Sequence, residues 1–124
     1  MELKLYKCAH CGNIAFKLVD SGVPMICCGE PMGELKANTT DGAVEKHVPV
    51  IEENGHAVTV KVGSVAHPML AEHYIPVIAL TGDNIVVIKF PKPGEEPSMT
   101  TAKLDGKMTA YEICNLHGFW KGEG

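Results

Sequence analysis

Four of the five cysteines in this 124-residue chain lie in its first quarter, at spacings that suit a single metal ion. Two residues separate Cys8 from Cys11, and a glycine follows, so both thiolates can reach one ion from one loop. Cys27 and Cys28 are adjacent, and neighbouring side chains diverge in extended backbone. Both can therefore reach the same ion only if the chain bends tightly, which Gly29 allows. The pattern predicts a tetrahedral four-sulfur site, which suits zinc or iron equally.

A second possible metal site consists mostly of histidines. Four of them stand in loop-like contexts, and the last follows the fifth cysteine by three residues. The candidate ligands are His47, His67, His73, Cys114 and His117. Zinc needs only four ligands, so five donors exceed a zinc site. Four imidazoles in a plane with an axial thiolate would suit iron, leave a sixth position open, and favour electron transfer to an oxygen species there.

Composition and charge exclude some classes of protein. The chain is 45% hydrophobic and 21% charged, as in ordinary globular domains. Its net charge of −4 argues against general nucleic-acid binding, which needs a basic face. It contains no apolar run of membrane-spanning length, and its N-terminus lacks the features of a signal peptide. We therefore expect a cytoplasmic protein, whose reduced thiols are metal ligands rather than disulfides.

Beyond the cysteines, the pattern favours β structure. Residues 1–36 form the four-cysteine module, and the polar, turn-rich segment 36–42 reads as a linker. Short apolar runs then alternate with Gly and Pro turns, without a helical period. The candidate strands are Ala57–Val62, Ile75–Leu80, Ile85–Phe90, Met99–Lys103 and Met108–Ile113. The pattern predicts an antiparallel β-sandwich over 37–124. Because Pro76 has no N–H for a ladder, its strand should be an edge or carry a bulge.

Five runs of residues carry a resemblance to a known family. They are YKCAHCGN, CCGEPM, EKHVPV, GSVAHPM and EICNLHGFWK. In sequence and order they resemble desulfoferrodoxin, the two-domain superoxide reductase of anaerobes and microaerophiles. The resemblance implies a desulforedoxin-like module over 1–36 with a rubredoxin-type iron, and an immunoglobulin-like catalytic domain over 37–124 with a square-pyramidal iron. It places the first iron at Cys8, Cys11, Cys27 and Cys28. It makes His47, His67, His73 and His117 the equatorial ligands of the second iron, and Cys114 the axial one.

The same resemblance implies an activity and further roles. The expected reaction is the one-electron reduction of superoxide to hydrogen peroxide, with re-reduction by a rubredoxin-like carrier and a homodimeric assembly. Lys46 would attract superoxide to the open position, and Glu45 would close onto the ferric iron as a sixth ligand. His10 and His56 match no ligand position and are expected on the surface. The first centre is either an electron relay or a structural element.

Two rival hypotheses come from other classes of protein. One is an electron carrier that uses the four-cysteine iron, with a purely structural histidine site and no superoxide reductase activity. The other is a zinc-binding scaffold without a redox role. Metal analysis together with the visible spectrum separates these two hypotheses from the superoxide reductase.

Overall fold

The computed structural model describes residues 1–39, 42–64 and 67–123, which divide into two compact units. One unit is Glu2–Lys36, and the other comprises Met1 and the chain from Ala37 onward. The predicted linker over 36–42 includes Thr40 and Asp41, which lie outside the described residues.

The first unit contains only very short strands. They are β1 (Tyr6–Lys7), β2 (Ile14–Ala15), β3 (Ile26–Cys27), β4 (Glu30–Pro31) and β5 (Gly33–Glu34). They form an antiparallel sheet in the order β2-β1-β5 and a separate β3-β4 hairpin. Two-residue ladders bury little apolar surface, so a unit of this size needs another source of stability, such as a metal.

The second unit is an antiparallel β-sandwich. Its elements are α1 (Val44–His47), β6 (Pro49–Asn54), β7 (Ala57–Val62), β8 (Val77–Thr81), β9 (Val86–Lys89), β10 (Ser98–Ala102), β11 (Thr109–Cys114) and β12 (Gly118–Glu123). One sheet has the order β10-β7-β6 and the other β12-β11-β8-β9. Seven strands divided three and four are typical of immunoglobulin-like sandwiches, so the predicted fold class is confirmed. Among the described residues, no helix is long and apolar enough to cross a membrane.

The core lies between the two sheets. Val58, Val60 and Val62 are buried on β7, whereas the residues between them are more exposed, as the predicted alternation requires. They pack with Ile78 and Leu80 of β8 in the same core cluster. Ligand-bearing loops at the ends of these strands are therefore attached to a rigid base.

Several details differ from the sequence-based prediction. The prediction for Pro76 is wrong: β8 begins one residue later, at Val77, and is an interior strand between β11 and β9. The missing N–H therefore costs no ladder bond. The prediction of a loop at His47 is also wrong, because this residue ends the single helical turn α1. The sequence-based prediction did not include β6 or β12. Two consecutive glutamates in β6 and two glycines in β12 lower the strand propensity of these segments. Pairing with neighbouring strands outweighs this low propensity in the folded protein.

Candidate metal centres

The sulfur atoms of the four N-terminal cysteines converge. Cys8, Cys11, Cys27 and Cys28 have Sγ atoms that all lie within 4.8 Å of one another. The first pair sits in a tight knuckle, where the Gly12 N–H donates to the Cys8 carbonyl at 3.1 Å and Gly12 has φ +83°. Sulfurs 2.3 Å from one tetrahedral metal lie about 3.8 Å apart, so this spacing fits one ion.

The second pair is carried by a two-residue hairpin turn. Cys27 of β3 pairs with Glu30 of β4, which leaves Cys28 and Gly29 as the loop. Both loop residues are left-handed, with φ of 51° and 78°, as a two-residue turn between twisted strands requires. The tight bend expected at Gly29 thus begins one residue earlier. It turns the Cys28 side chain back toward the sulfur of its neighbour.

The electrostatics of the four thiols favour a bound cation. The backbone N–H groups of Cys11 and then His10 lower the pKa of Cys8 to about 6. In contrast, hydrogen bonding to the thiols of Cys11 and then Cys8 raises the pKa of Cys28 to about 12. Four thiolates this close repel one another unless a metal ion neutralises them.

The five donors of the second candidate site also converge, at one end of the sandwich. His47 ends α1, and Cys114 ends β11. His67 and His73 lie in the connection between β7 and β8, and His117 lies in the turn before β12. The ligand atoms of all five lie within 4.8 Å of one another.

The hydrogen bonds of the His47 and His67 rings use Nδ1 and leave Nε2 of each ring for a metal. The Nδ1–H of His47 donates to the Ala43 carbonyl at 2.7 Å, and that of His67 donates to the Pro68 carbonyl at 2.7 Å. Their Nε2 atoms are 3.2 Å apart. Two nitrogens at right angles around one metal lie about 3 Å apart. Carbonyl partners of this kind fix the orientation of ligating imidazoles.

The other two histidines complete the donor set, His117 through Nδ1 and His73 through Nε2. His117 directs Nδ1 toward the Nε2 of His47, at 3.0 Å. His73 has a buried Nε2 without a hydrogen-bond partner among the described residues, a costly arrangement unless a ligand satisfies it. The Sγ of Cys114 lies 3.7 Å from the His117 Nδ1. The donor set is therefore three Nε2 atoms, one Nδ1 atom and one sulfur, which fits a single iron ion.

Burial controls the protonation of these ligands. It lowers the pKa of His47, and it lowers the pKa of His67 to about 4. Both rings are therefore neutral at pH 7, as metal ligands must be. Burial also raises the pKa of Cys114, which the backbone N–H groups of Leu116 and His117 oppose. A cation bound at the sulfur would favour the thiolate.

Asn115 links the two loops that carry ligands. Its side-chain amide donates to the Glu72 carbonyl at 3.1 Å, and its side-chain oxygen accepts from the Tyr74 N–H at 2.9 Å. Its own N–H donates to the Tyr74 carbonyl at 3.1 Å. These three bonds hold the segment around His73 against the turn that follows Cys114.

Two buried residues near the ligands were missed by the sequence analysis. Trp120 stacks on His47 and donates a hydrogen bond to the His117 carbonyl. Its only sequence signal is its position as the sole tryptophan, three residues after a ligand. Glu112 is fully buried, and its carboxylate oxygens have no hydrogen-bond partner among the described residues. Burial raises its pKa to about 9, so the carboxyl group is protonated at neutral pH.

The remaining predicted residues lie at the margin of the site or outside it. Glu45 is exposed and Lys46 is partly exposed, and both belong to the α1 turn that ends at His47. His10 and His56 are exposed, and His10 lies 3.1 Å from a Glu30 carboxylate oxygen. Neither belongs to a ligand cluster.

Comparisons with known proteins agree along nearly the whole chain. The family profile described as "Desulfoferrodoxin" matches residues 39–123, and "Desulfoferrodoxin, N-terminal domain" matches residues 1–35. The desulfoferrodoxin of Nitratidesulfovibrio vulgaris is 49% identical over 122 residues, which are 98% of this chain and 97% of the relative. The crystal structure of the superoxide reductase from Treponema pallidum superimposes with a TM-score of 0.77 at 38% identity, covering 98% of this chain and 99% of that one. The superoxide reductase of Pyrococcus furiosus is 36% identical over 107 aligned residues, which cover 64% of this chain and 86% of the relative.

These matches place the chain in a class of two-domain proteins with a four-cysteine unit before a histidine-bearing sandwich. The chain belongs to the desulfoferrodoxin family. Its two ligand sets fit the two iron centres of that family.

Proposed function

We propose that this protein is a superoxide reductase. Each turnover would reduce one superoxide with one electron and two protons to one hydrogen peroxide. The observation that carries the proposal is the convergence of four imidazoles and one thiolate within 4.8 Å, where zinc would need only four donors. The superoxide reductases among the chain's relatives and structural neighbours support the same reaction.

The ligand roles form part of the proposal. The catalytic iron would be held in the domain over 37–124 by the imidazoles of His47, His67, His73 and His117 and by the thiolate of Cys114. Cys8, Cys11, Cys27 and Cys28 would hold a second iron in the module over 1–36. An iron ion bound by the five donors of the catalytic site would supply the electron for the reduction. The Cys114 thiolate increases the electron density available there.

Residues around the site would handle the substrate and its charge. Superoxide is a small anion, and the cationic side chain of Lys46 would raise its local concentration and its association rate. Glu45, one residue earlier on the same turn, would offer its carboxylate as a further ligand of the iron. The hydrogen bonds from the His47 and His67 rings to backbone carbonyls would keep these two rings in place while the charge of the iron changes.

The proposal extends to partners and compartment. A rubredoxin-like one-electron carrier would restore the reduced iron, and two copies of the chain would form a homodimer. All five cysteines belong to the two candidate ligand clusters, and thiolate ligands of this kind suit a reducing compartment such as the cytoplasm. Stopped-flow mixing with a reduced rubredoxin-like carrier tests the electron donor. Sedimentation analysis tests the homodimer.

The decisive experiment separates reduction from dismutation. Fully reduced protein is mixed with excess superoxide without a donor, while oxygen and peroxide are followed against a protein-free control. We expect consumption above that control to stop when the reducing equivalents stored on iron are used, with peroxide formed and no oxygen released by the enzyme. Sustained turnover with one oxygen per two superoxides would identify a dismutase instead. Metal analysis should give two irons per chain, and zinc at both sites would favour the scaffold hypothesis.

A further inference from the structure

We propose that Gly63 and Ser64, which follow β7, position the α1 turn and thereby place Lys46 for the encounter with superoxide. This inference rests on the proposed function, because it concerns how the same site receives its substrate. Gly63 and Ser64 are positioning residues, since they act through the backbone of the turn and contact no metal ligand atom.

Two hydrogen bonds connect these residues to the turn. The N–H of Gly63 donates to the Val48 carbonyl at 3.1 Å. The hydroxyl of Ser64 donates to the Glu45 carbonyl at 3.4 Å. Together they hold the backbone on both sides of Lys46.

The contact is too close for a side chain at position 63. A Cβ there would lie 2.5 Å from the Glu45 carbonyl oxygen and 2.7 Å from the carbonyl carbon and oxygen of Lys46. Backbone atoms cannot rotate away as a side-chain tip can, so one of the two segments must move. Gly63 also has φ +76°, a conformation that favours glycine.

The segment that moves is the turn rather than the strand. The strand β7 is anchored by Val58, Val60 and Val62, all buried in the core. Glu45 is exposed and Lys46 is partly exposed, so neither side chain is buried in the core. The His47 ring is held separately by stacking on the indole of Trp120, which lies outside the α1 turn. A substitution at Gly63 should therefore displace Lys46 while the imidazole remains in place.

The chain provides a matched control for backbone strain. Gly55, in the turn between β6 and β7, has φ +65°, and a Cβ added there meets no atom within 4 Å. Gly55→Ala thus introduces the left-handed strain without the collision. The two alanine variants differ mainly in whether the added methyl group meets the α1 turn.

The test measures the second-order rate constant of the ferrous protein with superoxide by pulse radiolysis. Wild type, Gly63→Ala and Gly55→Ala are compared at low and high salt, each with and without Lys46→Ala. We expect Gly63→Ala to lower the rate constant on the order of tenfold at low salt and to weaken its salt dependence. Gly55→Ala should leave it unchanged. In the Lys46→Ala background, Gly63→Ala should have little further effect, because the charge that it misplaces is already absent.

Amide hydrogen exchange tests the contact between Gly63 and the α1 turn without a measurement of activity. In zinc-loaded protein, amide hydrogen exchange of Glu45–Val48 should be faster in Gly63→Ala than in Gly55→Ala. Equal rate constants for the two alanine variants, or an undiminished Gly63→Ala effect without Lys46, would overturn the positioning role. If Gly63→Ala does not fold, Ser64→Ala decides, with a smaller change in the same direction expected and no change in rate or exchange refuting it. A wild-type protein inactive toward superoxide would contradict the proposed function, whereas the exchange comparison would still test the contact.

Discussion

The indole of Trp120 stacks on the imidazole of His47, with ring centroids 5.0 Å apart and 27° between the planes. Its Nε1–H donates to the carbonyl of His117 at 2.9 Å. One buried side chain thus orients two ligand residues that lie 70 positions apart in sequence. Contacts of this kind around the ligands restrict their orientation and increase metal affinity.

Trp120→Phe should weaken the second metal centre, because it retains an aromatic ring but removes the bond to the His117 carbonyl. We expect the free energy of unfolding to fall by about 1–3 kcal/mol and iron to be lost faster to a chelator. The neighbouring Phe119→Leu serves as control, since it removes buried packing that contacts Tyr111 instead of a ligand. Urea unfolding and the time course of iron release provide the measurements. Equal iron retention in Trp120→Phe and wild type would refute an orienting role.

Lys46→Ala should slow the encounter with superoxide more than it alters the iron. A steering charge acts on the association rate and is screened by salt. Lys103→Ala is the matched control, because that lysine forms an ion pair with Glu53. Glu53 lies near the end of β6 that is far from the α1 turn and Lys46. The second-order rate constant should fall at low ionic strength for Lys46→Ala alone, while the visible spectrum stays constant. An unchanged rate constant would remove Lys46 from the mechanism.

Cys114→Ser should abolish the thiolate-to-iron absorption of the second centre and most of the activity. The four-sulfur centre shares no ligand with it, so that spectrum should persist. Cys11→Ser is the reciprocal variant, expected to change only the four-sulfur spectrum. Spectra of the oxidised proteins and their iron contents test both expectations. Loss of both spectra in Cys114→Ser would show that the two centres are not independent.

Glu112→Gln should change how stability depends on pH. In the folded protein burial raises the pKa of Glu112 to about 9, whereas the unfolded carboxyl ionises near 4.5. The unfolded state therefore binds fewer protons between these values, and stability falls as pH rises through that window. An amide does not titrate, so the variant should show a shallower decline. Urea unfolding from pH 5 to pH 9 at constant metal content measures both slopes, and parallel curves would refute the assignment.

The two ligand clusters and much of the sandwich could be predicted from the sequence. The alternating run at β7 matches the structure, because one face of that strand is buried and the other is not. The two-residue spacing of Cys8 and Cys11 was enough to predict a knuckle. The ligand sets were predictable because metal-binding residue types are scarce and fall in short, distinct motifs.

Other features depend on tertiary contacts that a single sequence does not reveal. His117 directs Nδ1 rather than Nε2 toward the ring of His47, because of how the turn before β12 presents its ring. The roles of Trp120 and Gly63 arise from segments far apart in sequence that meet only after folding. The left-handed conformation of Cys28 contradicts ordinary residue preference and follows from the length of its hairpin loop.

The separation of donors along the chain has a consequence for biosynthesis. Only 19 positions separate Cys8 from Cys27, whereas 70 separate His47 from His117. A short loop closes at low entropic cost, so the four thiols can capture iron while the ribosome is still adding residues. The histidine centre requires β11 and the turn after it, which leave the ribosome well after the four cysteines, and it can load only once the sandwich has closed. Under iron limitation, newly made molecules should therefore first accumulate with iron in the four-cysteine centre and no metal in the histidine centre.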